Sequence, residues 1–184
     1  MEDVRAKVVG ILCADGVEQV EVTTPRRDLQ QAGANVQVVT PGGRPVRGYH
    51  YIEPQDTIPA DLALAEARPG AFDCLVLPGG LGGPDTLRAD ATAVELVRRF
   101  VVSGRPVGVI CHGPWVLAEA GGVATRALTC ASAIASDVKN AGGRYVDADV
   151  HVDSDARPLL VSGRNHTAVE PFARTLVQEL DRSA

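Results

Sequence analysis

Two stretches of this 184-residue chain, FDCLVLPGG and PVGVIC, are continuously apolar over strand length, and each runs straight into a glycine-containing turn. A strand with no polar alternation must be covered on both faces, which places both stretches in the centre of a parallel sheet with helices above and below. The rest of the chain agrees. Strand-length apolar runs alternate with segments of helical period, predicting an α/β fold with a mostly parallel sheet.

The first strand is expected at 7–13, followed by a helix over VEQVEVTTPRRDLQQAG that stops at Gly33, with Pro25 marking a first turn or a kink. NVQVVTP is the second strand. Residues 42–71 hold four prolines and read as a short hairpin at 49–52 and a short helix at 60–67. A helix over 90–103, the strand PVGVIC, a short helix in WVLAEAGG, a strand in RALTC and a helix in IASDVKNAGG follow. RYVDADVHVD and PLLVSGR supply the last strands, and AVEPFARTLVQELD closes the chain as a helix with Pro171 in its first turn. No repeat or linker divides the sequence, so one domain is expected, with its core from Lys7 to about Leu180.

Charge excludes some partners. Eighteen basic residues against 23 acidic, a net charge of -5 and no basic block give no footprint for nucleic acid. The apolar runs are too short to span a bilayer, and MEDVRAKVVG has acids where a leader would be basic, so a cytoplasmic protein is expected. The four cysteines, Cys13, Cys74, Cys111 and Cys130, are far apart and sit in apolar runs, which suits reduced thiols better than disulfides or zinc; no metal or cofactor is expected. Three of them read as core, where a thiol packs as a small hydrophobe.

Cys111 differs by its setting. Ligands of parallel sheets collect at the carboxyl ends of strands, where ADGVEQ, PGGLGGPD, CHGPW and SGRNH all fall. Between Ile110 and Gly113 the chain must pass from extended to helical in very few residues, the geometry of a nucleophile elbow. A side chain there faces the cleft at a helix start that favours negative charge, so a lowered thiol pKa is expected. His112 is the obvious base, His166 its best rival, and His50 and His151 read more simply as solvent-facing rings. The backbone N–H groups of Gly80 and His112 are candidate oxyanion donors. Glu18, just past the first strand, either shares a hydrogen bond with the thiol while burial keeps it protonated, or stabilises its own helix. Asp85 either caps the next helix or orients His112. PGGLGGPD lacks both G-x-G-x-x-G and the Walker lysine, so the nucleotide reading is rejected.

DGVEQVE, LVLPGG, CHGPW and DVKNAGGRYVD stand in the order and setting of the ThiJ/PfpI superfamily, which the sequence resembles over nearly its whole length. Cys-His adjacency is similar to the PfpI-like branch, described as intracellular cysteine peptidases and as glyoxalase-like or deglycase proteins. The resemblance implies a flavodoxin-like three-layer fold, as in class I glutamine amidotransferases, and a stress-response enzyme. It implies Cys111 as nucleophile, His112 as its partner, Glu18 as the acid beside the thiol, and Gly80 and the His112 amide as oxyanion donors. It further implies a homodimer or larger homo-oligomer whose site is completed by an acid from the neighbouring subunit, here Asp85, and a small carbonyl or peptide substrate. Two other classes stay open: a redox sensor or chaperone in which Cys111 is oxidised beside Glu18, and a dimeric scaffold with a vestigial site.

Overall fold

The computed structural model describes residues 4–155 and 157–182. In chain order the strands are β1 (Val8–Leu12), β2 (Val17–Glu18), β3 (Asn35–Thr40), β4 (Val46–His50), β5 (Glu53–Ile58), β6 (Leu62–Ala63), β7 (Cys74–Leu77), β8 (Val107–Ile110), β9 (Ala127–Leu128), β10 (Arg144–Tyr145), β11 (Val150–Asp153) and β12 (Leu160–Gly163). The helices are α1 (Val20–Gln31), α2 (Gly82–Ala89), α3 (Ala91–Val102), α4 (Pro114–Glu119), α5 (Ala135–Asn140) and α6 (Val169–Arg182).

Seven strands form the central sheet in the order β11-β12-β8-β7-β1-β3-β6, and all neighbours are parallel except β11 and β12. This is the flavodoxin-like α/β architecture. The chain starts at β1, leaves to one side for β3 and returns on the other for β7. The crevice at their carboxyl ends is therefore the switch point where ligands of such sheets gather. Every residue of β7 and β8 is buried, as their unbroken apolarity requires.

Packing against the sheet follows from residue size. Phe172 of α6 is fully buried, and glycines make its seat: a Cβ at Gly108 would lie 3.2 Å from Phe172 Cζ, and one at Gly163 would lie 3.1 Å from Phe172 Cβ. A ring of this size removed from water is worth about 1.5–3 kcal/mol in transfer alone.

Several boundaries differ from the sequence reading. Val17–Glu18 is extended and pairs with β4, so α1 begins only at Val20 and Pro25 sits well inside it, with no N–H to offer the Glu21 carbonyl. The hairpin at 49–52 is present as β4–β5, but 60–67 is an edge strand and a single 3-10 turn rather than a helix. RALTC contributes only a two-residue strand, paired with β10 outside the main sheet. The glycine-rich loop after β7 is itself helical, forming α2. Asp85 does not cap it; the cap of note is Asp90, which accepts from the Thr92 and Ala93 amides at the start of α3. Among the described residues no helix is long and apolar enough to cross a membrane.

Replacing Phe172 with alanine is expected to lower unfolding free energy by about 3–5 kcal/mol. Denaturant unfolding monitored by circular dichroism measures this directly, and a loss under about 1 kcal/mol would contradict the packing described.

Candidate active site at the Cys111 elbow

Immediately after β8 the backbone takes the left-handed conformation at Cys111, φ 60°, one of the few non-glycine residues there. Such a conformation costs on the order of 1–3 kcal/mol and must be held by its surroundings. It is held on both sides. The Cys111 N–H donates to the Gly163 carbonyl at 3.0 Å, and the Cys111 carbonyl accepts from the Ala131 N–H at 3.0 Å. Gly113 closes the turn through its N–H to Ile110 (2.8 Å), and a side chain there would overlap the Leu77 carbonyl. Pro114 then opens α4, where a missing N–H costs nothing.

Around the sulfur, PGG forms the opposite wall. A Cβ on Gly79 would come within 2.5 Å of the Cys111 Cβ, so only glycine lets the two loops meet. The backbone N–H groups of Gly80 and His112 both hydrogen-bond to the Cys111 sulfur and favour its thiolate. The His112 Nδ1 lies 3.2 Å from Sγ, and burial pushes this imidazole down, with the Asp137 charge working against it. At neutral pH the ring is the uncharged form able to accept the thiol proton. Trp115 stacks edge-on at 4.9 Å from the His112 ring; its Nε1–H donates to Asp137 at 2.8 Å, and the Arg88 guanidinium lies 4.6 Å above it.

The carboxyl beside the thiol is Glu21, not Glu18. Glu21 is fully buried at the start of α1; its Oε2 accepts the Gly79 N–H at 2.7 Å, and the carboxyl lies against the same Gly79 face as the Cys111 side chain. Oε1 is otherwise buried without a partner. Desolvation pushes Glu21 up to about 8, opposed by the Gly79 hydrogen bond and reinforced by the charge of Glu18. Glu21 is therefore protonated at neutral pH and can donate to the sulfur. Glu18 sits a turn earlier, 4% exposed, with its oxygens taken by His50 Nδ1 and the Tyr51 N–H, each at 2.9 Å.

Thiol electrostatics also depart from the sequence expectation. Burial, and then the charge Glu21 carries when ionised, push Cys111 up rather than down, against the pull of the two amides. The two raised groups agree on one physical point: near neutral pH each holds its own proton, and the buried pair carries no negative charge until the thiol proton is taken away. Cys13, Cys74 and Cys130 are buried, each is pushed up to about 12 by desolvation, and among the described residues none is hydrogen-bonded to an imidazole that could take its proton, so they read as core thiols.

Asp85 is in the first turn of α2, exposed, and paired to Arg88 at 2.8 Å, so within one chain it does not orient His112. His166 follows β12 and packs with His50 and Tyr51, whereas His151 lies on the outer strand β11. Glu21 was the residue the sequence reading passed over. DGVEQVE carries two glutamates three apart, and only the late start of α1 decides which one reaches the thiol.

Fold and site together define a flavodoxin-like α/β protein with a cysteine at a strand-to-helix elbow, flanked by a histidine, a buried carboxyl and two inward amides. The chain belongs to the DJ-1/PfpI family, which matches residues 7–179. It is 36% identical over 176 residues to protein/nucleic acid deglycase 2 of Escherichia coli, covering 95% of this chain and 98% of that one. It is 39% identical over 145 residues to a deglycase of Thermococcus kodakarensis, covering 79% and 84% respectively. Among solved structures, a two-domain protein of Anabaena variabilis with DJ-1/ThiJ/PfpI-like and ferritin-like domains superposes with a TM-score of 0.87 at 31% identity. That match covers 95% of this chain but 48% of the Anabaena protein, so the chain spans about half of that two-domain molecule.

Glu21 binds its proton more tightly in the folded chain than at its ordinary value of 4.5, so its contribution to stability is full below about pH 4.5 and is lost as pH rises through about 8. Glu21→Gln mimics the protonated carboxyl and should flatten the fall in stability between those values. Urea unfolding at a series of pH values checks it; an unchanged slope would place the charge elsewhere.

Proposed function

We propose that this protein is a cysteine-dependent hydrolase or lyase that removes carbonyl-derived adducts from amines, with Cys111 as nucleophile. The contact that carries the reading is Cys111 Sγ to His112 Nδ1 at 3.2 Å, beneath the Gly80 and His112 amides. The deglycase names of two relatives favour carbonyl adducts over peptides as the substrate class.

The reaction follows from the groups present. His112 takes the thiol proton, and the sulfur replaces the amine on the aldehyde-level carbon of the adduct. The oxygen that gains charge is met by the Gly80 and His112 N–H groups, where a single such donor is commonly worth about 10²–10³ in rate. The His112 proton passes to the leaving amine, the carbon–nitrogen bond breaks and a hemithioacetal remains on Cys111; transfer of its carbon-bound hydrogen to the neighbouring ketone carbon, an internal redox shift that needs no outside oxidant, converts it to a thioester for water to cleave. Protonated Glu21 donates to the sulfur, so displacement of the thiolate from that thioester does not leave an uncompensated buried charge. A homodimer in which Asp85 of one subunit approaches His112 of another would supply the carboxylate that His112 lacks within its own chain.

A second reading rests on the same carboxyl. A protonated Glu21 next to the sulfur would also hydrogen-bond an oxidised Cys111, as a redox sensor requires. Mild peroxide would then modify Cys111 selectively over the other three thiols.

Cys111→Ser is expected to keep the fold and lower turnover of methylglyoxal-modified amines by more than about 1000-fold. Amine release measured for wild type and variant, beside a peptide control, tests this. Equal turnover by the variant would refute the nucleophile, and peptide cleavage without adduct turnover would refute the substrate class.

A further inference from the structure

A second group of titratable side chains stands at the tip of the β4–β5 hairpin, and the Cys111–His112 pair does not use it. Glu18 is buried, yet both its oxygens are engaged: Oε1 lies 2.9 Å from His50 Nδ1 and Oε2 accepts the Tyr51 N–H at 2.9 Å. A carboxylate only accepts, so Nδ1 carries the imidazole proton and Nε2 is left as the basic nitrogen. Among the described residues nothing is hydrogen-bonded to Nε2, and the His50 side chain is 53% exposed.

The chain is strained to make this arrangement. Tyr51 has φ 55°, a region unfavourable for a bulky side chain, and the strained residue is the one whose N–H meets Glu18. The rings of Tyr51 and His166 then pack edge-on against His50 with centroids 5.0 and 5.3 Å away, and against each other at 4.8 Å. One face of the imidazole is thus fixed while the Nε2 edge stays open.

Two backbone hydrogen bonds tie the surroundings of this cluster to those of the thiol. The Glu18 N–H donates to the Gly79 carbonyl at 3.2 Å, within the wall that faces Cys111, and the Glu18 charge is felt at Glu21. His166 follows β12, whose last residue, Gly163, accepts the Cys111 N–H. His112 has no carboxylate hydrogen-bonded to it among the described residues and is spent on the thiol; His50 has the carboxylate and is spent on nothing.

We propose that Glu18 and His50 form a second acid–base dyad of the site, in which His50 Nε2 takes the proton from the water that cleaves the Cys111 thioester. The inference rests on the nucleophile proposed above. In the step, one proton leaves water for Nε2, the oxygen–carbon bond forms, the carbon–sulfur bond breaks, and Cys111 departs as thiolate. The product leaves as a carboxylic acid and the imidazolium proton returns to the thiolate through solvent, with no change of oxidation state. Glu18 is a positioning residue, holding the tautomer and the ring plane. The groups around His50 that bear on its titration are Glu18, His166, Tyr51 and, opposite it in the hairpin register, Glu53.

The two half-reactions separate with p-nitrophenyl acetate as a probe. Release of p-nitrophenol in a burst reports acetylation of Cys111, and the steady phase reports hydrolysis of the acetyl-enzyme. His50→Gln is expected to keep the burst, slow the steady phase about 100-fold, accumulate acetyl-enzyme by intact mass and lose the acid limb of the steady-phase pH profile. Glu18→Gln, which keeps an acceptor but no charge, should show a smaller loss confined to the same phase. A burst with an unchanged steady phase in His50→Gln would overturn the dyad alone. A wild type without a burst, matching Cys111→Ser, would overturn the nucleophile and the dyad with it.

Discussion

The turns that end β7 and β8 meet with no room for a side chain between them. Gly113 lies against the Leu77 carbonyl and Gly79 against the Cys111 side chain, so neither turn can move or gain a methyl group without displacing the other. That constraint holds Cys111 in a conformation its residue type disfavours, and every polar contact at the sulfur follows from it. Gly79 is shared: its N–H binds the Glu21 carboxyl and its carbonyl receives the Glu18 N–H, so one residue, through its two flanking peptides, joins the acid beside the thiol to the strand carrying the outer carboxyl. The parallel order β8-β7-β1 makes these neighbours in space although they are far apart in sequence.

Burial sets the chemistry within this frame. A fully exposed elbow would make a thiolate easily and lose it to any oxidant; a fully buried one would never ionise. Here desolvation raises both Cys111 and Glu21, and two backbone amides offset it at the sulfur. Reactivity then depends on moving the thiol proton to His112, 3.2 Å away, while the neighbouring carboxyl keeps its own. The three other cysteines feel the same desolvation, and among the described residues only the Cys111 sulfur is hydrogen-bonded to an imidazole, which is why one thiol in four is suited to react.

Much of this was legible in the sequence, for identifiable reasons. β7 and β8 stood out because burial on both faces removes polar alternation, and Cys111 because an apolar strand, a cysteine and a glycine within four residues leave the backbone few routes. What failed was local. Glu18 is the glutamate that stands just past β1 in the sequence, and the helical period reads back to Val17; pairing of Val17–Glu18 with β4, a tertiary contact, keeps those residues extended and delays α1 to Val20, which brings Glu21 to the thiol instead. The helix expected at 60–67 is likewise replaced by an edge strand because Leu62–Ala63 completes the sheet beside β3. The glycines of PGGLGGPD suggested a loop, and α2 forms there because Gly83 has to pass within van der Waals reach of Val17 and Ala14, a demand made by packing and invisible to propensity.

Pairing of β2 with β4 has one more consequence. The hairpin is not a free flap, since it is laced through Val17–Glu18 to the root of α1 and, through the Glu18 N–H, to the Gly79 peptide. Pulling the tip outward therefore strains the same residue whose N–H seats Glu21. The rim of the cleft and its floor are mechanically in series, and a molecule pressing on the hairpin loads the hydrogen bond beneath the sulfur.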